Sequence, residues 1–243
     1  MKQIVKSGFT VLILLLAIIS CKKENSISQS LAVSSKSSTE ASVIDIDGVA
    51  AIPIKIGTQR WMAKNLSVTR YRNGDIIPQV KDSAEWAALT TGAWCYYKND
   101  RANGPIYGKL YNWYAVNDIR GLAPVGYHIP TDGEWAALSA FLGGDPVAGG
   151  KMKSIGTIEA GTGLWYSPNV DATNSTGFTG LPGGYRNNNS LFYYIGYNGY
   201  FWSSTDNINN IDAYYRNLSY DNSYLYRTYL NKGYGFSVRC VKD

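Results

Sequence analysis

Few side chains in this sequence are equipped for chemistry, and their spacing decides how far each reading goes. His128 is the only histidine. One imidazole cannot build a His-based zinc site, and no Ser/His/acid pattern surrounds it, so a hydrogen-bonding role just before a helix start is expected. The three cysteines, Cys21, Cys95 and Cys240, are too few for a four-Cys metal cluster. Cys95 and Cys240 are read either as a disulfide or as two separate buried thiols. A bridge closing so long a loop would stabilise by roughly 4 to 5 kcal/mol on the chain-entropy picture. Asp75, Asp82, Asp132 and Glu134 are single acids in turns and caps. A glycosidase would need two carboxyls at a fixed separation, which the sequence does not show. Gly149-Gly150 and Gly183-Gly184 fit neither phosphate-binding pattern and read as turns. Asp206, Asn207, Asn209, Asn210 and Asp212 offer oxygens in the manner of a Ca²⁺ loop, but no Glu closes it and no Gly centres it, so a solvated loop is expected. No metal, cofactor or catalytic residue is expected.

Aromatic side chains are the abundant resource: 20 Tyr and 7 Trp in 243 residues. Phe192, Tyr193, Tyr194, Tyr197, Tyr200, Phe201 and Trp202 crowd together, and Tyr214, Tyr215, Tyr220, Tyr224, Tyr226 and Tyr229 follow, with Arg216 and Arg227 among them. Tyr and Arg on a surface supply contact area and hydrogen bonds at modest entropic cost. Sugar rings stack on such faces. The candidate ligand-binding set is Tyr193, Tyr197, Tyr200, Trp202, Tyr214, Arg216, Tyr224 and Tyr226. The competing reading is that Tyr simply suits strands, with the core taking one face and water the other.

The elements that must hold these groups read as mixed α and β, strand-rich toward the C-terminus. Residues 43–46 and 52–56 alternate around Asp47-Gly48, a hairpin signal. Asn73-Gly74 marks another turn. Glu85-Trp86-Ala87-Ala88-Leu89 recurs as Glu134-Trp135-Ala136-Ala137-Leu138. In the second copy, Thr131 to Glu134 is a capping box, Trp135, Leu138 and Leu142 share a face, and Gly143-Gly144 stops the helix. Asp82-Ser83-Ala84 is read either as resembling a bacterial O-glycosylation signal or, through Ser83, as a cap for the shorter first helix. Strands are expected at 191–195, 199–205, 213–219, 224–230 and 235–241, arranged as an antiparallel meander. In the last of these, Phe236, Val238 and Cys240 face one way and Ser237, Arg239 and Val241 the other.

The N-terminus reads as an address. Lys2 and Lys6 precede an apolar run, 11–19, that is too short to span a bilayer but suits a signal peptide. Ser20-Cys21 ends it in the manner of a bacterial lipobox, implying cleavage before Cys21 and lipidation of that residue. Residues 21–42, rich in Ser, read as a tether that holds a domain starting at Val43. Removing 1–20 takes away two lysines and no acid, so the net charge falls from +5 to +3. With no Lys/Arg block longer than two residues, a nucleic-acid partner is not expected.

One set of motifs is specific. It runs through residues 56–66 (Ile-Gly-Thr-Gln-Arg-Trp-Met-Ala-Lys-Asn-Leu), 107–116 (Tyr-Gly-Lys-Leu-Tyr-Asn-Trp-Tyr-Ala-Val), 123–132, Glu134-Trp135, Gly177-Phe178, 181–186 (Leu-Pro-Gly-Gly-Tyr-Arg), 199–205 and 235–243 (Gly-Phe-Ser-Val-Arg-Cys-Val-Lys-Asp). In this order the motifs resemble the Fibrobacter succinogenes major paralogous domain over residues 43–243. The resemblance implies an exported bacterial protein, often a Bacteroidetes lipoprotein. Trp202-Ser203-Ser204 and Gly235 to Cys240 are more distantly similar to formylglycine-generating enzymes, which implies an α+β, C-type-lectin-like fold with short helices, antiparallel sheet and long loops. That oxidase chemistry uses two nearby cysteines, and Cys240 has none beside it. Together these readings give three segments: signal peptide 1–20, tether 21–42 and domain 43–243. The expected function is a non-catalytic, lipid-anchored module at the outer membrane or cell surface, attached through Cys21 and binding a glycan or an envelope protein. A divergent oxidase or hydrolase on the same scaffold, and a self-assembling envelope protein, are the alternatives.

Overall fold

A computed structural model describes residues 41–243. Cys21, the signal-peptide reading and most of the tether lie outside the described residues. The elements in order are β1 (Val43–Ile44), β2 (Ala50–Ala51), β3 (Pro53–Ile56), β4 (Gln59–Met62), α1 (Ser83–Ala87), β5 (Trp94–Cys95), α2 (Gly104–Tyr107), β6 (Leu110–Tyr111) and α3 (Trp113–Val116). After them come β7 (Tyr127–His128), α4 (Asp132–Phe141), α5 (Asp145–Met152), β8 (Gly183–Arg186), β9 (Phe192–Ile195), β10 (Asn198–Asp206), β11 (Asp212–Ser219), β12 (Leu225–Asn231) and β13 (Val241–Lys242). This is an α+β domain of short helices, mostly antiparallel sheet and long connections. Among the described residues no helix is long and apolar enough to cross a membrane.

The largest sheet runs β12-β11-β10-β8-β9. Its first three strands form the expected meander, whereas β8 joins β10 in parallel through Gly184 and Gly199. Strand alternation gives this sheet two different faces. Phe201, Leu218 and Leu225 point toward Trp135 and Leu138 of α4 and Ala148 and Met152 of α5, forming one apolar cluster. Tyr200, Trp202, Ala213 and Tyr215 point the other way, into a cluster with Phe236, Val238 and Cys240. A third, smaller cluster holds Trp86, Cys95 and Tyr97. The second sheet runs β3-β4-β13-β7.

Residues 235–241 join the two sheets. Their alternation is as expected, but both sides are buried: Phe236, Val238 and Cys240 enter one cluster, and Val241 enters the other. Only Val241–Lys242 sits in a regular ladder. Upstream, the backbone bonds in turn to Tyr111, Tyr200, Trp202, Leu66 and Met62. A segment threaded between elements takes its partners one at a time, so the full strand expected over 235–241 does not form.

Three local expectations are corrected. The first hairpin pairs Val43–Ile44 with Ala50–Ala51, while β3 turns back through Gly57 to pair with β4. Asp82, not Ser83, caps α1, its Oδ1 accepting from Glu85 N at 2.8 Å. Gly183 and Gly184 open β8, and Gly149 and Gly150 lie inside α5, rather than in turns. The α5 pair are glycines because the β11–β12 connection and residue 171 press against the helix: an added Cβ would lie 2.3 Å from Tyr224 O at Gly149 and 2.7 Å from Asp171 O at Gly150. The capping box of α4 forms as expected, with Glu134 N bonded to Thr131 Oγ1 and Thr131 N to Glu134 Oε2.

Candidate functional site

One side of the large sheet carries a row of tyrosines, one from each of four adjacent strands. Tyr193 of β9 lies 5.6 Å, ring to ring, from Tyr185 of β8. Tyr185 lies 4.8 Å from Tyr200 of β10, and Tyr200 lies 5.8 Å from Tyr215 of β11. Phe236 packs against Tyr200 and Tyr215 at 5.2 and 4.8 Å, and Tyr234 flanks Tyr185 at 5.6 Å. Tyr194 also reaches Tyr185, at 5.9 Å. Two successive residues of one strand share a neighbour here because Tyr194 has φ 63° and Gly184 opposite has φ 62°. A bulky side chain in the left-handed region is unusual, and at this place it breaks the alternation and adds a ring to the row.

The rings differ in exposure. Tyr200 and Tyr215 are buried, Tyr185 and Tyr234 are half-buried, and Tyr193 and Tyr194 are 40% and 51% exposed. Among the described residues none of these six hydroxyls has a protein hydrogen-bond partner, and none is an orphan sealed away from solvent. Burial, then the neighbouring phenols, raises the Tyr185 and Tyr215 hydroxyls to about 12, and Tyr200 above the usual range. They therefore stay neutral and able to both donate and accept.

The eight residues expected to form the binding set are not one site. Tyr193 and Tyr200 belong to the row. Trp202 is a core residue, fully buried with Nε1 donating to Tyr111 O at 2.9 Å. Arg216 points to the opposite face, 1% exposed, and donates to Asp132 O and Oδ1. Tyr214 lies on that far face too, beneath Arg227 at 4.2 Å. Tyr197 stacks on Tyr166 at 4.3 Å, and Tyr224 stacks on Tyr226 at 5.4 Å, two separate exposed pairs. The period-two rule separates neighbours that the sequence merely lists side by side. Tyr185, Tyr194, Tyr215 and Tyr234 are the members sequence reasoning missed. Tyr185 stands in the Leu-Pro-Gly-Gly-Tyr-Arg motif, whereas Tyr194 needed its left-handed backbone to be known.

A cavity lies elsewhere. It is a cleft of about 630 Å³ between the β1–β2 hairpin, residues 62–67, the α2 region and Lys109, with Leu181 and Cys240 in its wall. Four of the motif segments quoted above therefore meet there. Lys109 is 4% exposed; its Nζ donates to the Ser67 carbonyl and, at 3.0 Å, to Ser67 Oγ. Behind the cleft wall Arg239 is fully buried, with Asn65 Oδ1 and the carbonyls of Met62, Phe178 and Thr179 around its guanidinium. Cys240 and Cys95 are both unbridged and sit in different clusters, so the disulfide reading gives way to that of two buried thiols. Burial pushes each thiol up to about 12, which makes both poor nucleophiles.

His128 bonds through Nδ1 to Asp243 and through Nε2 to Glu134, both at 2.7 Å. Burial lowers its pKa, but the hydrogen bonds to Asp243 and Glu134 outweigh this and hold it above the usual value. Glu134 thus serves the helix cap with one oxygen and His128 with the other. In the Asn-rich loop, Asn209 Oδ1 accepts from Ile211 N and Asp212 N, and Asp206 pairs with Lys232 at 2.8 Å. Those oxygens are occupied by the loop's own structure. Among the described residues no group of three or more His, Cys, Asp or Glu is placed to hold a metal ion.

A short-helix α+β domain with an aromatic sheet face and a separate cleft is the class these features define. A profile of the Fibrobacter succinogenes major domain matches residues 54–242, and the chain belongs to that family. Comparison with curated proteins and with solved structures returns no match.

Proposed function

We propose that this chain is an exported, lipid-anchored envelope protein whose domain, of C-type-lectin-like fold, binds a glycan or a protein at the outer membrane or cell surface. The observation that carries the reading is the tyrosine row, whose hydroxyls have no protein partners among the described residues. Such a face offers ring surfaces for C–H stacking and neutral hydroxyls for hydrogen bonds, a combination suited to sugars and to polar protein loops. The Ser-Cys junction after a short apolar run, followed by a Ser-rich segment, supports anchoring at Cys21.

The test is a glycan array and an envelope-extract pull-down with residues 41–243, run with and without Ca²⁺, for wild type and Tyr185→Ala/Tyr194→Ala. Capture that is Ca²⁺-independent and weakens at least about tenfold in the double variant is expected, as for loss of one or two hot-spot aromatics. Ca²⁺-dependent capture would move the site to the Asp206–Asp212 loop. No capture, together with concentration-dependent sedimentation, would replace the reading by self-assembly. For the anchor, Cys21→Ala should release the chain from the membrane fraction.

A further inference from the structure

The cleft floor holds a pairing that the tyrosine face does not use. A buried lysine is normally tied to a carboxylate. Lys109 instead makes its hydrogen bonds to one residue, Ser67, which is among the residues lining the cleft. Trp94 and Tyr96 rings lie 4.7 and 5.6 Å from Nζ. Burial pulls the ammonium below its usual pKa, against the opposing pull of Asp47 and Asp45 on the facing hairpin. Those two acids are partly engaged already: Asp47 accepts from Thr69 N and Oγ1, and Asp45 Oδ1 from Asp47 N and Val49 N. Lys64 and Arg101 stand exposed at the rim and add positive potential.

A hydroxyl within hydrogen-bond reach of a desolvated amine, open to a cavity, is the arrangement that activates a serine without histidine. We propose that Ser67 and Lys109 form a nucleophile–base pair that hydrolyses an acyl ester bound in this cleft. Ser67 Oγ attacks the ester carbonyl carbon while its proton passes to neutral Lys109 Nζ. The C–O bond to the alcohol then breaks, and Lys109 returns the proton to the departing oxygen. Water attacks the acyl-Ser67 carbonyl, its proton goes to Lys109, the acid leaves and the hydroxyl is restored. The Ser67 N–H, which has no acceptor among the described residues, supplies a donor next to the developing oxyanion. Met62, Leu66, Ile106 and Leu181 line the cleft beside the pair, so the acyl part is a short aliphatic chain.

The experiment treats residues 41–243, which contain all three apolar clusters, with a fluorophosphonate probe and separately with p-nitrophenyl butyrate, from pH 6 to 10. An adduct on Ser67 by mass spectrometry is expected, with both rates rising with pH as Lys109 loses its proton. Ser67→Ala keeps the backbone carbonyl that Lys109 holds, and should abolish labelling and hydrolysis with no loss of fold. Lys109→Arg keeps the charge and the clamp on the Ser67 carbonyl but cannot accept a proton, so a fall of at least about 100-fold is expected, the scale of general-base catalysis. No adduct on Ser67 at any pH, or labelling of a folded Lys109→Arg variant at the wild-type rate, would show that Lys109 only clamps the segment 66–69. If Lys109→Arg does not fold, the wild-type pH profile and Ser67→Ala decide the matter: a flat profile overturns the proposal.

Discussion

Gly149 sits mid-helix in α5, where intrinsic propensity favours alanine by about 0.8 to 1 kcal/mol. Propensity alone therefore predicts that Gly149→Ala stabilises. The structure predicts the opposite sign. An alanine Cβ would lie 2.3 Å from Tyr224 O, 2.7 Å from its carbonyl carbon and 2.8 Å from Ser223 O, all backbone atoms that cannot rotate away. Relief requires α5 to back off from the start of β12. That loosens the Gly150 N to Ser223 O bond at 3.2 Å and the packing of Ala148 and Met152 on Leu225. Overpacking of this kind costs about 1 to 3 kcal/mol after the propensity gain is included. For a domain of this size each kcal/mol moves Tm by about 2 to 4 °C, so a fall of roughly 2 to 12 °C is expected by calorimetry. Gly133 is the control. It lies in the first turn of α4, and the nearest atom to its built Cβ is Thr131 Oγ1 at 3.9 Å. Gly133→Ala should therefore raise stability by about 0.4 to 1 kcal/mol. If both variants stabilise alike, the close approach of β12 to α5 is wrong, and so is the explanation given for the glycine pair.

Trp135 is buried with its Nε1 unpartnered, whereas Trp113 Nε1 donates to Ser203 O at 2.9 Å. Trp113→Phe should therefore cost about 1 to 2 kcal/mol more than Trp135→Phe in denaturant titrations, and equal losses would contradict the assignment. His128 gains two carboxylate partners on folding, so its folded pKa exceeds its unfolded one. Its contribution is fully present below the unfolded value near 6.5 and fades as pH rises through the folded value. Because the side chain is 38% exposed, screening keeps the effect small. The Tm gap between wild type and His128→Gln should be larger at pH 5.5 than at pH 9, and a gap that widens with pH would reverse the reasoning. Cys95 and Cys240, both buried, should resist iodoacetamide in the native state and react together on unfolding, with intact mass showing two free thiols.

Much of the scaffold was legible where a residue type has one physical use. Thr131 and Glu134 announced a capping box, and alternation from Tyr200 to Leu230 announced a meander, because both signals are local. The parallel junction of β8 with β10 was not legible, since it brings together segments separated by a loop and a hairpin. Gly149-Gly150 misled because a glycine pair looks the same whether it serves a turn or a close packing of helix on backbone. The candidate site was half legible. An aromatic excess was visible, but which rings share a face depended on the left-handed residue at Tyr194. The Ser67–Lys109 contact spans 42 positions and has no local signature at all.

Residues 235–242 fill the gap between the two sheets and contribute to both large apolar clusters. A chain lacking them has two half-cores, each with an open seam where Phe236, Val238 or Val241 should lie. The two clusters are therefore coupled through one short stretch of chain: neither packs fully until that stretch is seated, and loosening it in one opens it in the other.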